Sequence, residues 1–245
     1  MNNMPTLLDL FKAGVHFGHQ SSRWYPKMEP FIYAQKNGIH VINLEKTLVQ
    51  MEKAHEFIKK IVANGGSIMF LSTKKQAQPI IKKYAQETAM PYISERWIGG
   101  CFTNFQEISK LIRRYNTLRS QRDTGELNKY TKKERLLLNQ EIEKLEKIIS
   151  GVSDMKKIPD AVFMIDLKKE KTAVLEAHKK SIPIIAVCDT NTNPEKINYP
   201  IPGNDDGIKS IELLTKFIAD CITEGLEERK IKQAAKPKEQ EKTQK

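Results

Sequence analysis

Residues 160–189 read DAVFMIDLKKEKTAVLEAHKKSIPIIAVCD. Two apolar runs, AVFMI at 161–165 and IIAV at 184–187, enclose a segment at 170–180 that fits a short helix. Runs that are apolar on both faces are typical of parallel strands covered by helices on each side. A strand, a helix and a second strand in this order predict a right-handed βαβ crossover. The stretch therefore predicts an α/β fold.

The same alternation continues towards the N-terminus. Three further apolar runs read as strands, namely IHVI at 39–42, IMFL at 68–71 and YI at 92–93. Apolar residues at helical spacing predict further helices, at 47–63, 73–88 and 207–224. Strands alternating with helices over this length predict an α/β sandwich around one parallel sheet.

Residues 103–150 interrupt the alternation, because they contain no strand-like run. Apolar residues three and four apart instead predict two helices, each with one apolar seam. The segment DTGELNKY at 123–130 supplies a turn, so we expect an antiparallel helical hairpin, or coiled coil. At 1.5 Å per residue each arm would be about 30 Å long, too long to be buried in a domain of this size, so it should protrude.

Local signals predict where several helices begin and end. A threonine followed three residues later by glutamate or glutamine, the capping-box pattern, occurs at Thr73, Thr103 and Thr131. Gly151 and Gly225 are expected to end the helices that precede them.

These patterns divide the chain into three parts. Residues 1–102 and 151–225 are expected to form one discontinuous α/β domain, with 103–150 as a protruding hairpin. Residues 226–245 contain few apolar residues and no aromatic residue, which predicts a disordered basic tail.

The charge balance favours a polyanionic partner. The 245 residues include 41 Lys and Arg against 30 Asp and Glu, a formal net charge of +11. Neutralisation of phosphates with release of their counterions would favour nucleic acid or an anionic membrane surface. A solvated lysine-rich surface is the alternative reading.

Three further features bear on where the protein works. No apolar stretch approaches the roughly 18 residues of a membrane span, and no secretory signal pattern opens the chain. The three cysteines are far apart, which argues against a disulfide framework. We expect a cytoplasmic protein without a membrane partner.

Basic and aromatic side chains gather at two loops. GVHFGHQSSRWYPKM at 14–28 brings Arg23, Trp24 and Lys27 together. Arg96 precedes Trp97 just after the predicted strand at 92–93. Guanidinium groups pair with phosphates, and indoles stack on exposed bases. Burial in the hydrophobic core is an equally good interpretation of each tryptophan.

Two other segments of the chain carry basic residues that could bind phosphate groups. Lys74 and Lys75 lie where the helix after IMFL begins, and backbone N–H groups at a helix N-terminus favour an anion. On the hairpin, basic residues concentrate on the first helix and the tip, while acidic residues fall mainly on the second helix. A solvated coiled-coil surface is the alternative there. The hairpin residues expected to contact RNA are Arg113, Arg114, Lys132 and Lys133.

Catalytic and metal-binding patterns have little support. The phosphate-binding motifs G-x-G-x-x-G and G-x-x-x-x-G-K-[ST] do not occur. His16 and His19 are half a zinc site, and no spacing points to further ligands. Cys188 follows a strand, but no histidine is placed by sequence to act as its base. We expect no catalytic residue, no metal and no cofactor, and we interpret Asp205 and Asp206 as helix N-caps.

Six segments together resemble a known family. GVHFGHQSSRWYPKM, KNGIHVINLEKT, RWIGGCFTNF, PDAVFMID, IPIIAVCDTNTNP and INYPIPGNDDGIKSI follow in this order. As a set they closely resemble the bacterial-type small-subunit ribosomal protein two family, from about Leu7 to Gly225. Cys101 stands where the family usually has Leu or Met. Ser72 stands where it usually has Gly, which weakens the case for close approach of the backbone to phosphate beside Lys74.

The resemblance implies a flavodoxin-like three-layer sandwich with a five-stranded parallel sheet and a protruding helical hairpin. It also implies a structural constituent of the small ribosomal subunit, without catalytic activity, that binds small-subunit rRNA near the head–body junction. Its implied partners are other small-subunit ribosomal proteins, including ribosomal protein one, which it helps to dock.

Two alternatives from other classes stay open at this point. One is a nucleotide-binding enzyme on a flavodoxin-like fold, which a substrate or cofactor would stabilise against heat at low concentration. The other is a coiled-coil scaffold that acts through the hairpin. Binding to structured RNA that weakens steeply with salt would favour the ribosomal protein over both.

Overall fold

The structure, a computed structural model, describes residues 4–240, with side chains to residue 233. Its strands are β1 (Phe17–Gln20), β2 (Ile32–Lys36), β3 (Ile39–Ile42), β4 (Ile68–Leu71), β5 (Tyr92–Ile93), β6 (Ala161–Ile165), β7 (Ile184–Cys188) and β8 (Tyr199–Pro202). Its helices are α1 (Leu7–Lys12), α2 (Leu44–Ala63), α3 (Gln78–Glu87), α4 (Phe105–Asp123), α5 (Lys132–Ile149), α6 (Lys171–Lys179) and α7 (Ile208–Gln240). None of the helices in these residues is both long and apolar enough to cross a membrane.

Five parallel strands form the central sheet, in the order β5-β4-β6-β7-β8. Numbered within the sheet this is 2-1-3-4-5, the strand order of flavodoxin-like doubly wound sheets. Phe70 of β4 is in register with Phe163 of β6, which in turn is in register with Ile185 of β7. The predicted α/β class and five-stranded parallel sheet are confirmed.

One strand that was predicted to belong to this sheet belongs to another. IHVI at 39–42 is strand β3, but it pairs antiparallel with β1 and β2 in a separate three-stranded sheet. Within β3 only His40 and Ile42 are buried, the alternation expected of a sheet covered on one face. The fifth parallel strand is β8, whose sequence YPIP was not predicted as a strand. Proline cannot donate a ladder hydrogen bond, but β8 lies at the sheet edge, where proline is tolerated.

Apolar clusters cover both faces of the parallel sheet. Phe70 and Phe163, whose rings meet edge to face at 5.7 Å, lie in a cluster with buried residues of α2, α3 and α7. Met69, Val162 and Met164 face the other way and share a second cluster with α4, α5 and α6. Helices on both faces are consistent with the predicted three-layer sandwich.

The insert at 103–150 consists of two packed helices, α4 and α5, joined through a short 3-10 helix at Glu126–Lys129. Ile112 and Tyr115 of α4 and Ile142 of α5 are buried in the second cluster. Arg114 donates from Nε and Nη2 to the two carboxylate oxygens of Glu141, each at 3.2 Å. These contacts establish a pair of helices, and a protruding coiled coil stays a prediction.

Only one of the three predicted capping boxes exists. The backbone N–H of Thr131 donates to Glu134 Oε2 at 3.0 Å, and the N–H of Glu134 donates to Thr131 Oγ1 at 3.4 Å. The predictions at Thr73 and Thr103 are wrong, because α3 begins at Gln78 and α4 at Phe105. Both threonine hydroxyls donate instead to a buried glutamate on another segment, Glu170 and Glu176 respectively.

Replacing Thr131 by alanine is expected to lower the free energy of unfolding by about 1 kcal/mol, because the first turn of α5 loses its side-chain acceptor. Urea denaturation at neutral pH measures this difference. Thr117→Ala, at an exposed position inside α4, is the control and should cost nothing. Equal losses in the two variants would contradict a capping role.

Glycine acts differently from expectation at the ends of two helices. α7 does not end at Gly225 but continues to Gln240. Residues 226–240 of the predicted disordered tail are therefore helical. Residues 241–245 of that predicted tail lie outside the described part of the chain. A Cβ on Gly225 would lie 2.8 Å from Val62 Cβ, so this glycine allows α7 to approach α2 closely. α5 ends at Ile149 as predicted, but Gly151 also lies at a close approach, to Tyr92 of β5.

Candidate functional site

Charged residues meet at the carboxyl edge of the parallel sheet. Lys74 follows β4, Asp166 follows β6, Asp189 follows β7, and Asp205 and Asp206 follow β8. Carboxyl ends of parallel strands lie at one edge, which is where ligands bind in open α/β sheets. The topology therefore collects side chains that are up to about 130 residues apart in sequence.

Lys74 is held inside this group. It is 8% exposed, and its Nζ lies 2.9 Å from Asp205 Oδ1 and 2.6 Å from Asp206 Oδ1. Burial alone would lower the pKa of Lys74, but the carboxylates of Asp206 and Asp205 outweigh it and raise that pKa. The prediction that Lys74 contacts RNA does not fit this position, because its charge is already neutralised by the protein.

Asp205 and Asp206 are not the helix N-caps that the sequence suggested. Their carboxylates pair with Lys74, and the turn before α7 is closed by Asn204, whose Oδ1 accepts from the N–H groups of Asp206 at 2.8 Å and Gly207 at 3.1 Å. Burial, with the charge of Asp189, raises the pKa of Asp205 to about 6 in spite of the nearby Lys74.

His19 joins the same group from β1. Its Nδ1 lies 3.0 Å from Asp189 Oδ2, and its Nε2 lies 3.4 Å from Asp206 Oδ2. The carboxylate of Asp189 raises the pKa of His19 and outweighs the opposing effect of burial. The backbone N–H of His19 donates to Thr190 Oγ1 at 2.9 Å, which fixes the strand against the loop after β7.

His16 takes no part in this group. Its ring stacks on Phe11 with centroids 4.5 Å apart and tilts against Phe17 at 4.1 Å. Burial lowers the pKa of His16, which favours the neutral ring. The two histidines of the segment at 14–28 therefore have separate environments, and His16 packs between two aromatic rings.

Glu176 organises the loop after β5, a role that sequence analysis missed. Its carboxylate accepts from Trp97 Nε1 at 3.0 Å and from the backbone N–H groups of Gly100 at 2.8 Å, Phe102 at 3.1 Å and Thr103 at 3.2 Å. Burial would raise the pKa of Glu176, but these hydrogen bonds outweigh burial and lower it. Trp97 thus supports the loop instead of standing free to stack on a base.

A sequence signal for Glu176 existed. It lies three residues after Ala173 and directly before Ala177, both of which are buried residues of α6. A charged residue on the apolar face of a short helix indicates a buried partner. What the pattern could not supply is the partner, which lies more than seventy residues earlier in the chain.

The remaining predicted RNA-contacting residues are on the surface. Arg23, Trp24 and Lys27 lie in one turn after β1, and Lys27 pairs with Glu195. Trp24 is 36% exposed, with its ring 5.3 Å from that of His40. The exposed residues of the predicted set are Arg23, Trp24, Lys27, Lys75, Arg96, Arg113, Arg114, Lys132 and Lys133.

A basic groove that sequence analysis did not predict lies beside this turn. The groove has a volume of about 390 Å³ and is lined by Tyr25 and the apolar residues Leu167, Val174, Leu175 and Ile197, together with Lys168, Lys171 and Lys196. The three lysines are exposed and come from the segment after β6, the start of α6 and the loop after β7. Their sequence spacing carried no signal, because only the fold brings the three segments together.

Cys188 does not have the environment of a nucleophile. It is fully buried at the end of β7, and burial raises the pKa of its thiol far above the usual range. Burial also raises the pKa of the Cys101 thiol, to about 12. Both side chains pack as small apolar groups.

Comparisons with known proteins match nearly the whole chain. The family model described as Ribosomal protein S2 matches residues 10–225. Proteins named small ribosomal subunit protein uS2 are 50% identical in Mycobacteroides abscessus, over 91% of this chain and 81% of the relative, and 51% identical in Bifidobacterium longum, over 91% and 80%. The Corynebacterium urealyticum protein of the same name is 48% identical over 96% of this chain and 87% of its own length. This chain therefore belongs to the ribosomal protein S2 family, whose members are structural proteins and not enzymes.

Proposed function

We propose that this protein is a structural constituent of the small ribosomal subunit, working in the cytoplasm, that binds small-subunit rRNA. The names of its relatives support the assignment to the small subunit. The proposed RNA-binding surface consists of the turn with Arg23, Trp24 and Lys27 and the neighbouring groove with its three lysines. Lys75 and Arg96, which follow the adjacent strands β4 and β5, extend the surface along the sheet edge.

The basic groove is the observation that carries this proposal. Lys168, Lys171 and Lys196 are exposed around one concave surface, and none of them takes part in the ion pairs of the described residues. Lysines without protein counterions can neutralise phosphates, and the cations condensed on the nucleic acid are then released. The ring of Tyr25 in the same groove offers a face on which an unpaired base can stack.

The inserted helices are the second part of the proposal. We infer that residues 103–150 protrude from the domain formed by 1–102 and 151–225 as an antiparallel coiled coil. Arg113, Lys132 and Lys133 on its exposed faces would contact rRNA or neighbouring proteins of the subunit. Arg114 shares its charge with Glu141 and would contribute less. Ribosomal protein one is among the partners we propose.

Replacing Lys168, Lys171 and Lys196 together by glutamine is expected to weaken binding to small-subunit rRNA by roughly 100-fold near physiological salt. The slope of log K against log salt should become shallower by about 2.7, because each phosphate that is no longer neutralised reduces it by about 0.9. Filter binding or fluorescence anisotropy with rRNA, repeated over a series of salt concentrations, measures both quantities.

The matched control is the triple variant Lys53→Gln, Lys60→Gln and Lys82→Gln, which removes equal charge from exposed positions on α2 and α3. Its affinity for rRNA should stay within a few-fold of wild type, and both variants should keep the wild-type melting temperature. Equal weakening in the two triple variants would mean that net charge, and not the groove, drives binding. Unchanged affinity in the groove variant would remove the proposed surface.

A further inference from the structure

A cleft at the amino edge of the parallel sheet lies where the inserted helices join the domain. It has a volume of about 840 Å³, and its walls include Ser67 before β4, Pro91 before β5 and the segment 153–157 before β6. Arg119 of α4 and Arg229 of α7 also line it. The basic groove of the proposed RNA-binding surface shares no lining residue with this cleft and lies at the opposite, carboxyl edge.

The charged residues of this cleft are mostly basic. Its basic residues are Arg119, Lys156, Lys157 and Arg229. The acidic residue that lines it is Asp154, and Lys157 is neutralised by Asp160, whose Oδ2 lies 2.9 Å from the Lys157 Nζ. Among the described residues, the other three cations have a single ion pair, a long one of 4.0 Å between Arg119 Nε and Asp123 Oδ2. The cleft therefore holds three cations with little compensation from the protein.

Arg229 gives a second indication that the cleft suits an anion. It is half-buried, whereas the other three basic residues are exposed. Its guanidinium packs on Gly65, where a Cβ would lie 3.4 Å from the Arg229 Cζ and 3.5 Å from its Nη2. A cation that is partly removed from water without a carboxylate partner is costly, and phosphate oxygens match the fork of N–H groups on a guanidinium.

A neighbouring cleft limits how far a charged ligand can extend. This second cleft, of about 620 Å³, adjoins the first, and the residues that line both are Gln86, Tyr92, Arg119 and Ser150. Its acidic residues are Glu95, Glu143 and Glu146, and its basic residues are Lys82, Arg119 and Lys147. A nucleic-acid strand carries a negative charge on every nucleotide, so a strand running on into this cleft would meet three carboxylates. The excess of positive charge is confined to the first cleft, which favours a compact anion.

We propose that the cleft at the amino edge binds a compact phosphate-bearing ligand, such as the diphosphate group of a nucleotide. Arg119, Lys156 and Arg229 would bind its oxygens by charge-assisted hydrogen bonds. Because Arg119 belongs to the inserted helices and Arg229 to α7, one ligand would tie the base of the insert to the domain. This proposal does not depend on the proposed binding of rRNA, which uses other residues.

The test is isothermal titration calorimetry of untagged full-length protein with inorganic pyrophosphate, at physiological ionic strength and without divalent cations. Wild type should bind one pyrophosphate per chain at submillimolar concentration, and its melting temperature should rise with pyrophosphate concentration. Arg119→Gln, Lys156→Gln and Arg229→Gln should each weaken binding about tenfold, because each removes a charge-assisted hydrogen bond. The Arg119 side chain is 52% exposed and Lys156 is exposed, so these two variants should keep the fold, which circular dichroism verifies.

The control variants are Arg135→Gln and Lys230→Gln, which remove the same charge from exposed positions outside the cleft. Both should bind pyrophosphate as wild type does. A short RNA oligonucleotide without terminal phosphates should not displace pyrophosphate at equal phosphate concentration. The proposal is overturned if wild type does not bind pyrophosphate, if the three cleft variants keep wild-type affinity, or if the controls lose as much. Displacement by the oligonucleotide would show that the cleft takes a nucleic-acid backbone and would overturn the compact ligand.

Discussion

Replacing Glu176 by alanine should lower the free energy of unfolding by about 3 kcal/mol, measured by urea denaturation at neutral pH. The variant leaves the N–H groups of Gly100, Phe102 and Thr103 and the indole N–H of Trp97 without their acceptor. Phe102 is fully buried, so water cannot replace the missing partner there without cost. The loop after β5 should loosen, and the fluorescence of Trp97 should shift to longer wavelength.

Two further variants separate the charge of Glu176 from its position. Glu176→Gln keeps one acceptor oxygen and should lose less stability than the alanine variant. Glu52→Gln, on the exposed face of α2, makes the same chemical change and should cost nothing measurable. If Glu176→Ala proved as stable as Glu52→Gln, the carboxylate would not be what holds the loop.

The pH dependence of this contribution has a defined sign. Hydrogen bonding lowers the pKa of Glu176 in the folded state below its ordinary value of 4.5. A carboxyl with a lowered folded pKa adds stability that is fully present above about pH 4.5 and is lost as the pH falls through the folded pKa. The stability difference between wild type and Glu176→Gln should therefore shrink as the pH falls below about 4.5.

Gly151→Ala should destabilise the fold by about 3 kcal/mol or more, because there is no space for a methyl group. A Cβ at this position would lie 2.3 Å from the carbonyl oxygen of Tyr92 and 2.8 Å from Cδ2 and Cε2 of its ring. A backbone carbonyl in a sheet cannot move aside as the end of a flexible side chain can. The 3-10 helix at Ser150–Val152 would have to separate from β5, and α5 would lose its anchor on the domain.

Gly99→Ala is the matched control for this prediction. A Cβ on Gly99 would meet no atom within 4 Å, so the variant should unfold at the wild-type urea concentration or slightly above it. Thermal melts or urea titrations of the two variants, side by side, measure the difference. A Gly151→Ala variant as stable as Gly99→Ala would show that α5 can shift away from β5 at little cost.

The parallel sheet was largely predictable from sequence, and the two errors in that prediction, at β8 and β3, have physical causes. Strands β4, β6 and β7 are apolar on both faces, which is a strong local signal of burial between two layers. β8 carries two prolines and was not predicted as a strand. Strand propensity disfavours proline at every position, although an edge strand needs fewer N–H donors and can include it. β3 was assigned to the wrong sheet, since pairing partners are set by distant chain segments and not by the strand itself.

The candidate site shows where local pattern stops being informative. Arg23 and Arg96 could be named as exposed basic residues from composition and neighbours, and the structure places both on the surface. Lys74 could not be distinguished from them, because its two partners, Asp205 and Asp206, are about 130 residues away. His19 likewise has carboxylate neighbours that no spacing within 14–28 could reveal.

The amino-acid sequence by itself determined the α/β class, the alternation of strands and helices, the position of the inserted helices and the basic character of the surface. These properties follow from hydrophobic periodicity and charge count, which act over a few residues at a time. The three-dimensional fold alone determined which threonines cap a helix, which glycines mark a close approach, and which charges meet at the sheet edge. Those properties depend on distances between segments far apart in the chain, and chain folding sets these distances through packing of the whole core.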